Sequence, residues 1–466
     1  MAALDSGRTR QILAQVNEGR LWNDLMELAK VGSVGGQSGQ GRQGGQGGQG
    51  GGGVTRLAFT PEDLEAKRLV ARWLEEAGAR VRFDAAGNVI ARYLGTVADP
   101  VEPAGHADGA QIKGLPAVMA GSHTDTVPEG GRFDGAVGVI GALEALRVIT
   151  SLPEKPRLPL EVVIFANEEG SRFGGGLFGS RALAGLWTPA DLEARRDAKG
   201  LSQAEAMAAQ GFDPSRIQEA RREPGSVAAY LEMHIEQAGV LESLGLPVGL
   251  VSGIAGPVFL QLKLTGEANH AGATPMGLRR DALCAAAELV LAAERLAKGD
   301  AGGGGRGRDS GRVRTTVGTV GSLRVRPGAV NVIPGEVEMS FDLRDIDEAA
   351  RDEAVLGVKA AIAEVCARRG IGWELKETHH QHPVPISPEM LGLLQEAASA
   401  AGVPVHQMPS GAAHDAMIMA GLTGAGMIFV RGLEGGVSHS PRELCSSSDI
   451  AAGTRVLLAA LLRLAF

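Results

Sequence analysis

Apolar and polar positions divide the chain into three stretches of different rhythm. In the first, short apolar runs at 117–120 (AVMA) and 162–166 (VVIFA) are bounded by turn residues, as buried parallel strands are. Helical periods follow them over 135–150 and 179–186, the alternation of an α/β sheet covered on both faces. Upstream, a helix is predicted over about 8–30 and another from Thr60. There Thr60-Pro61-Glu62-Asp63 supplies an N-cap, a proline at the first helical position and acids for the positive helix end. From residue 254 the rhythm changes. VFLQLKL at 258–264 alternates with period two, then come a helix (281–298), two strands (313–321, 335–343), a helix (347–368) and a strand (371–376). Strand–helix–strand–strand–helix–strand is the split βαβ order of a compact α+β sandwich. After His382 a helix (389–401), a strand (426–431) and a helix (447–465) return to the first rhythm. The expected organisation is an α/β domain in two parts, 1–253 and 382–466, interrupted by an α+β domain at 254–381.

The chain of 466 residues suits two domains. Its 68 glycines are partly local: residues 35–53 are almost wholly Gly and Gln, too poor in apolar surface to offset their ordering entropy, and read as a disordered insertion. Residues 98–113 and GGGGRGRDSGR at 302–312 read as further loop insertions. A net charge of −8 argues against a nucleic-acid partner. No apolar run reaches the roughly 18 residues of a membrane-spanning helix. The first residues, MAALDSGRTRQILAQ, lack the apolar region of a secretory signal, and Asp5 argues against an organelle transit peptide. Cys284, Cys366 and Cys445 are scattered and odd in number, as reduced thiols of a cytoplasmic protein would be.

Parallel sheets carry function on loops at the carboxyl ends of their strands. GSHTDTVPEGGRFDG, with His123, Asp125 and Asp134, follows the first strand; NEEGSRF, with Glu168 and Glu169, follows the second. LEMHIEQ brings His234, and GGVSHSPRE brings His439 after the strand at 426–431. Each residue alone has an ordinary structural reading as a core histidine, a turn aspartate or a capping glutamate. Together, apolar strands running into His, Asp and Glu pairs are hard to explain by folding, because buried carboxylates are costly unless paired or bound to a cation. Two divalent ions held by three His, a bridging carboxylate and a Glu account for them. One member of the Glu-Glu pair then binds metal, and its neighbour is free to take a proton from water.

These motifs, with NHAGATPMGLRRDA, NVIPGEVEMSFDLRD and SGAAHDAM, resemble the hydantoinase/carbamoylase-type amidases, a branch of the di-zinc exopeptidase-like superfamily. The resemblance runs from about residue 8 to the C-terminus, outside the Gly-rich insertions. It implies a di-zinc exopeptidase-like α/β catalytic domain with an inserted α+β lid that also forms a homodimer. It implies His123, Asp134, Glu169, His234 and His439 as ligands, with Asp134 bridging; Glu168 as general base; and Asp125 as the carboxylate orienting His123. Arg344 and Asn331 resemble the binders of the substrate's carboxylate and ureido groups. His270 resembles the oxyanion-stabilising imidazole, and Gln237 and His414 further substrate contacts. The implied reaction is hydrolysis of a linear ureido acid, foremost an N-carbamoyl-L-amino acid, with allantoate, ureidoglycolate and β-ureidopropionate as alternatives. Zinc, manganese, cobalt and nickel remain open as the metal. The rivals are an N-acyl-amino-acid deacylase or metallopeptidase using the same ions, and a metal-binding protein without catalysis. Residues 174–179 (GGGLFG) match a dinucleotide-loop spacing, but Glu168 and Glu169 already claim that strand end. Arg279 reads as structural, Glu443 as either a neighbour of the ligands or a helix-start acid, and the tract His379-His380-Gln381-His382 as an exposed crossing between domains.

Overall fold

The structure, a computed structural model, describes residues 6–33, 52–95, 115–299 and 315–466. The expected insertions at 98–113 and 302–312, and 35–51 of the first, lie outside the described residues. In chain order the strands are β1 (Arg80–Phe83), β2 (Val89–Tyr93), β3 (Ala117–His123), β4 (Leu160–Phe165), β5 (Val227–Ile235), β6 (Val248–Ile254), β7 (Gly256–Thr265), β8 (Val317–Arg326), β9 (Glu336–Asp345), β10 (Gly372–His380), β11 (Val384–Pro385), β12 (Val405–Ser410) and β13 (Gly424–Val430). The chain forms two compact units. One holds the described residues up to Ser252 with Ile386–Met408 and His414–Phe466; the other holds Gly253–Pro385 and Pro409–Ala413.

The first unit is built on a mixed sheet ordered β1-β2-β4-β3-β5-β13-β6, with β12 also paired to β6. Only its centre is parallel: β4 with β3, β3 with β5, β5 with β13. β2 joins β4 antiparallel and β6 joins β13 antiparallel, so the edges depart from the expected parallel rhythm. β3 and β4 are buried along their whole length, which explains their apolar runs AVMA and VVIF; buried Glu161 of β4 is paired with Arg92 and Arg222. Val118, Ala120, Val162, Leu231 and Val430 pack into one core with helices Ala136–Ser151 and Ser447–Ala465. A second core gathers Phe59, Phe173, Phe178, Met207 and Ile217. Thr60 caps the helix Pro61–Glu76 as expected, its side chain accepting from the Asp63 amide. The helix expected over 8–30 is instead two, Ser6–Leu13 and Glu18–Leu28. Asn17 divides them: its side chain caps the Arg20 amide, and its own amide is drawn to Glu144 at 2.8 Å.

The second unit is an antiparallel sheet ordered β10-β7-β9-β8 with helices Ala282–Lys298 and Glu348–Arg369. Its chain order is the split βαβ pattern. β9 alternates strictly between buried and half-buried residues, and Val337, Met339, Phe341 and Leu343 face the helices' apolar residues. β11 pairs Val384 with Ile254 where the chain leaves this unit.

Candidate metal centre

The register of the parallel strands sets the site. His123 ends β3 level with Phe165 of β4, and His234, next to last in β5, is level with Phe429 of β13. Glu168 and Glu169 follow β4, and His439 follows β13. Asp134 stands at the start of the helix Ala136–Ser151, with Gly135 between at φ 62°. A Cβ on Gly135 would lie 2.5 Å from the His123 ring, so glycine is what lets Asp134 approach that imidazole.

Asp134 is the hub. Its Oδ1 lies 3.5 Å from His123 Nε2 and 3.2 Å from His234 Nε2. Its Oδ2 lies 3.5 Å from His439 Nε2, which is 3.4 Å from Glu169 Oε2. Two ligand groups result, His123–Asp134–His234 and Asp134–Glu169–His439, sharing Asp134. The backbone decides the imidazole tautomers. His123 Nδ1 meets the Asp125 carbonyl at 3.0 Å, and His234 Nδ1 meets the Ile235 carbonyl at 3.0 Å, so each Nδ1 carries hydrogen. In a neutral ring His123 Nε2 therefore turns a lone pair toward the Asp134 and Glu168 carboxylates, both 3.5 Å away, an arrangement that calls for a proton or a metal ion between them, while His234 Nε2 accepts from the Gly135 amide at 3.2 Å. His123 Nε2 is buried and has no hydrogen-bond partner. Ligands about 2.1 Å from a tetrahedral ion stand about 3.4 Å apart, the spacing these atoms have. The donor set and its spacing thus fit two divalent ions.

Without a metal ion, the buried imidazoles and carboxylates share protons among themselves. Burial opposes charge on His123, but Glu168, Asp134 and Asp125 outweigh it and hold its pKa well above the usual imidazole value. Burial would raise Asp134, yet His234 and His123 keep it well below the carboxylate range. Glu169 is pushed up to about 8 by burial and by Asp134. Burial, with Asp415 and Glu169, holds Glu168 well above its ordinary value against the pull of His123. Burial and the neighbouring His234 keep His414 neutral, its ring 4.5 Å from that of His234.

Asp125 acts differently from the expectation. Its carboxylate is 3.9 Å from His123 Nδ1, and its carbonyl makes the orienting contact instead. The carboxylate accepts from the Glu168 and Glu169 amides, both at 3.2 Å, and so fixes the Glu-Glu pair. Gln237, expected as a substrate contact, places its amide nitrogen 2.6 Å from Asp134 Oδ2 and 3.4 Å from His439 Nε2. Two neighbours were not singled out from the sequence. Ser438 lies 2.7 Å from Asp134 Oδ2, and its place beside His439 was the available signal. Asn167 is buried at φ 52° with both amide atoms unpartnered, directly before Glu168; no sequence pattern marks it.

A model of peptidase family M20/M25/M40 matches residues 119–463. An N-carbamoyl-L-amino acid amidohydrolase of Geobacillus stearothermophilus is 42% identical, over 94% of this chain and 96% of that protein. The chain belongs to the M20/M25/M40 family. A ureidoglycolate hydrolase of Arabidopsis thaliana is 36% identical, over 88% of this chain and 82% of its own. The crystal structure of a hydantoinase/carbamoylase family amidase from Burkholderia multivorans aligns with a TM-score of 0.81 at 34% identity, covering 97% of this chain and 98% of that one. The M20/M25/M40 match spans every candidate residue, including those of the second unit.

Within that unit, the His270 and Asn331 segments lie together: His270 bridges Val332, and the Ala271 amide donates to the Asn331 carbonyl at 2.9 Å. His270 Nδ1 accepts from the Gly272 and Ala273 amides at 3.0 and 3.2 Å, which leaves its hydrogen on Nε2. Arg279 is structural as expected, holding this loop through the Ala271 and Thr274 carbonyls. Arg344 makes a two-point ion pair with Asp342, both contacts 2.8 Å, and donates to the Gly411 carbonyl at 2.8 Å. In the His tract, Glu348, His380 and His382 also come together, but Arg351 stands 3.1 Å from both Glu348 Oε1 and His380 Nε2. A guanidinium already supplies the cation there. Among the described residues no helix is long and apolar enough to cross a membrane.

Proposed function

We propose that this chain is an amidohydrolase that cleaves the carbamoyl C–N bond of an N-carbamoyl-L-amino acid, giving the amino acid, CO2 and ammonia. The observation that carries the reading is the pair of ligand groups on one aspartate, with an uncommitted carboxylate, Glu168, 3.5 Å from His123. The 42% identity to an N-carbamoyl-L-amino acid amidohydrolase supports this substrate over ureidoglycolate, whose hydrolase stands at 36%. Allantoate, ureidoglycolate and β-ureidopropionate are the second reading.

His123, Asp134 and His234 would hold one divalent ion; Asp134, Glu169 and His439 the other. Bound there, zinc, manganese, cobalt or nickel supplies Lewis acidity for the carbamoyl carbonyl and lowers the pKa of water. Glu168 accepts the proton of the attacking water and returns it to the leaving amine. Asp125 keeps Glu168 in place through two peptide amides. His270 offers its Nε2 hydrogen to the carbonyl oxygen as charge develops there. Arg344 has five N–H donors, three of them engaged, and the remaining two suit the substrate carboxylate. Asn331 is assigned to the ureido group, and Gln237 and His414 to substrate contacts. The second unit is assigned the homodimer contact; half-exposed Val317 and Leu323 on β8 and exposed Leu291 and Leu356 on its helices support it. Three unpaired thiols fit a cytoplasmic setting.

The test is ammonia release by purified, metal-loaded protein from N-carbamoyl-L-amino acids, allantoate, ureidoglycolate and β-ureidopropionate, beside N-acetyl amino acids and dipeptides. The highest kcat/KM is expected on an N-carbamoyl-L-amino acid. A preference for N-acetyl or peptide substrates makes it a deacylase or peptidase. Metal uptake with no hydrolysis of any of them makes it a binding protein.

A further inference from the structure

We infer that Glu443 is the positioning residue that holds the bridging aspartate in its two-metal geometry; this rests on the metal reading above. Its carboxylate is 4% exposed and reaches the site from after β13. Glu443 Oε1 accepts from the Phe133 amide at 2.7 Å and the Asp134 amide at 3.1 Å, pinning the peptide that carries Asp134. Glu443 Oε2 lies 3.0 Å from Ser438 Oγ, which also lies 2.7 Å from Asp134 Oδ2 and 3.5 Å from Gln237 Nε2. One buried side chain thus fixes Asp134 through its backbone, and it packs against the Ser438 hydroxyl whose one hydrogen the nearer Asp134 Oδ2 takes. It also couples the Asp134 loop to the segment that bears His439. The sequence makes room for it: a Cβ on Gly131 would fall 2.0 Å from Glu443 Cδ, so the second glycine of GGRFDG is the space the carboxylate fills.

Asp134 is the one ligand common to both ion positions. Loss of its support therefore weakens both, by the roughly 10–100-fold typical of removing a ligand's hydrogen-bond partner. The role is that of an acceptor, which separates it from a simple charge effect. In Glu443→Gln the amide oxygen still accepts both backbone N–H groups, and the amide nitrogen donates to Ser438, which in turn donates to Asp134.

The experiment is zinc affinity by competition with a chromophoric chelator, with apo-protein thermal unfolding measured alongside. Glu443→Ala is expected to lose at least about tenfold in zinc affinity, with Glu443→Gln within about twofold of wild type. Gly131→Ala, which displaces the carboxylate without removing it, is expected to reproduce the loss. Wild-type affinity in both Glu443→Ala and Gly131→Ala would overturn the inference, as would an equal loss in Glu443→Gln and Glu443→Ala. A loss matched by a fall in apo-protein Tm would reduce Glu443 to a folding residue. A wild-type protein that takes up no zinc, manganese, cobalt or nickel would instead defeat the metal reading itself.

Discussion

Two adjacent carboxylates, Glu168 and Glu169, meet different surroundings. Glu169 faces His439, and burial and Asp134 raise its pKa; Glu168 faces His123. Substituting Glu168 by Gln removes the proton acceptor and leaves both ligand groups complete. Turnover is expected to fall by about 10²–10⁴-fold, the usual worth of a general base, with metal content by atomic spectroscopy unchanged. An active Glu168→Gln enzyme would contradict the assignment. The second prediction concerns pH. A ligand must lose its proton to bind metal. Because Glu169 is raised to about 8 without metal, it holds a proton at neutral pH, and loading its site releases that proton. Zinc affinity is therefore expected to rise by at least about tenfold per pH unit from pH 6 toward 8, because Glu169 and the raised His123 both give up protons to the metal. Chelator competition across that range checks it, and affinity independent of pH contradicts it.

The elements matter because they bring ligands from distant positions to one end of the sheet. The helix Ala136–Ser151 lies so close to β5 that a Cβ on Gly138 would be 2.1 Å from the Met233 carbonyl and 2.8 Å from Ser122 Cβ. Gly138→Ala is thus expected to push the helix from the ends of β3 and β5. About 1–3 kcal/mol of stability should be lost by overpacking, and zinc affinity should fall as His123 and His234 separate from Asp134. Denaturant unfolding and metal titration measure the two; wild-type values in both contradict it. The same close packing explains what could be read beforehand. β3 and β4 are buried along their length, so the runs AVMA and VVIFA are apolar and the His, Asp and Glu residues that follow them stand out. β5 was less legible because Glu232 interrupts its apolar run; the structure buries that carboxylate fully and satisfies it with the Ser122 hydroxyl and the Ala416 amide, both at 2.8 Å. β1 and β2 are four and five residues long, too short for alternation to declare itself. The break at Asn17 carries no Gly or Pro, because it is made by a long-range contact with Glu144. The carbonyl and carboxylate of Asp125 share one residue name, so only geometry separates their tasks.

At the scale of the molecule, a chain with net charge −8 buries Asp125, Asp134, Glu168, Glu232 and Asp415 within the first unit. Buried Arg56 and Lys67 offset part of that acid at Asp125, and two divalent cations would offset the remainder around Asp134. The second unit has its own core, and it carries His270, Asn331 and Arg344, the residues proposed above as substrate contacts. The claim on which the rest depends is that Asp134 sits between two ions. Anomalous diffraction at the zinc edge from zinc-loaded crystals measures it directly. Two peaks about 3.5–4 Å apart are expected, one beside His123 and His234, the other beside Glu169 and His439. Crystals with no peak within ligand distance of Asp134, or with zinc only at Glu348, His380 and His382, would contradict it.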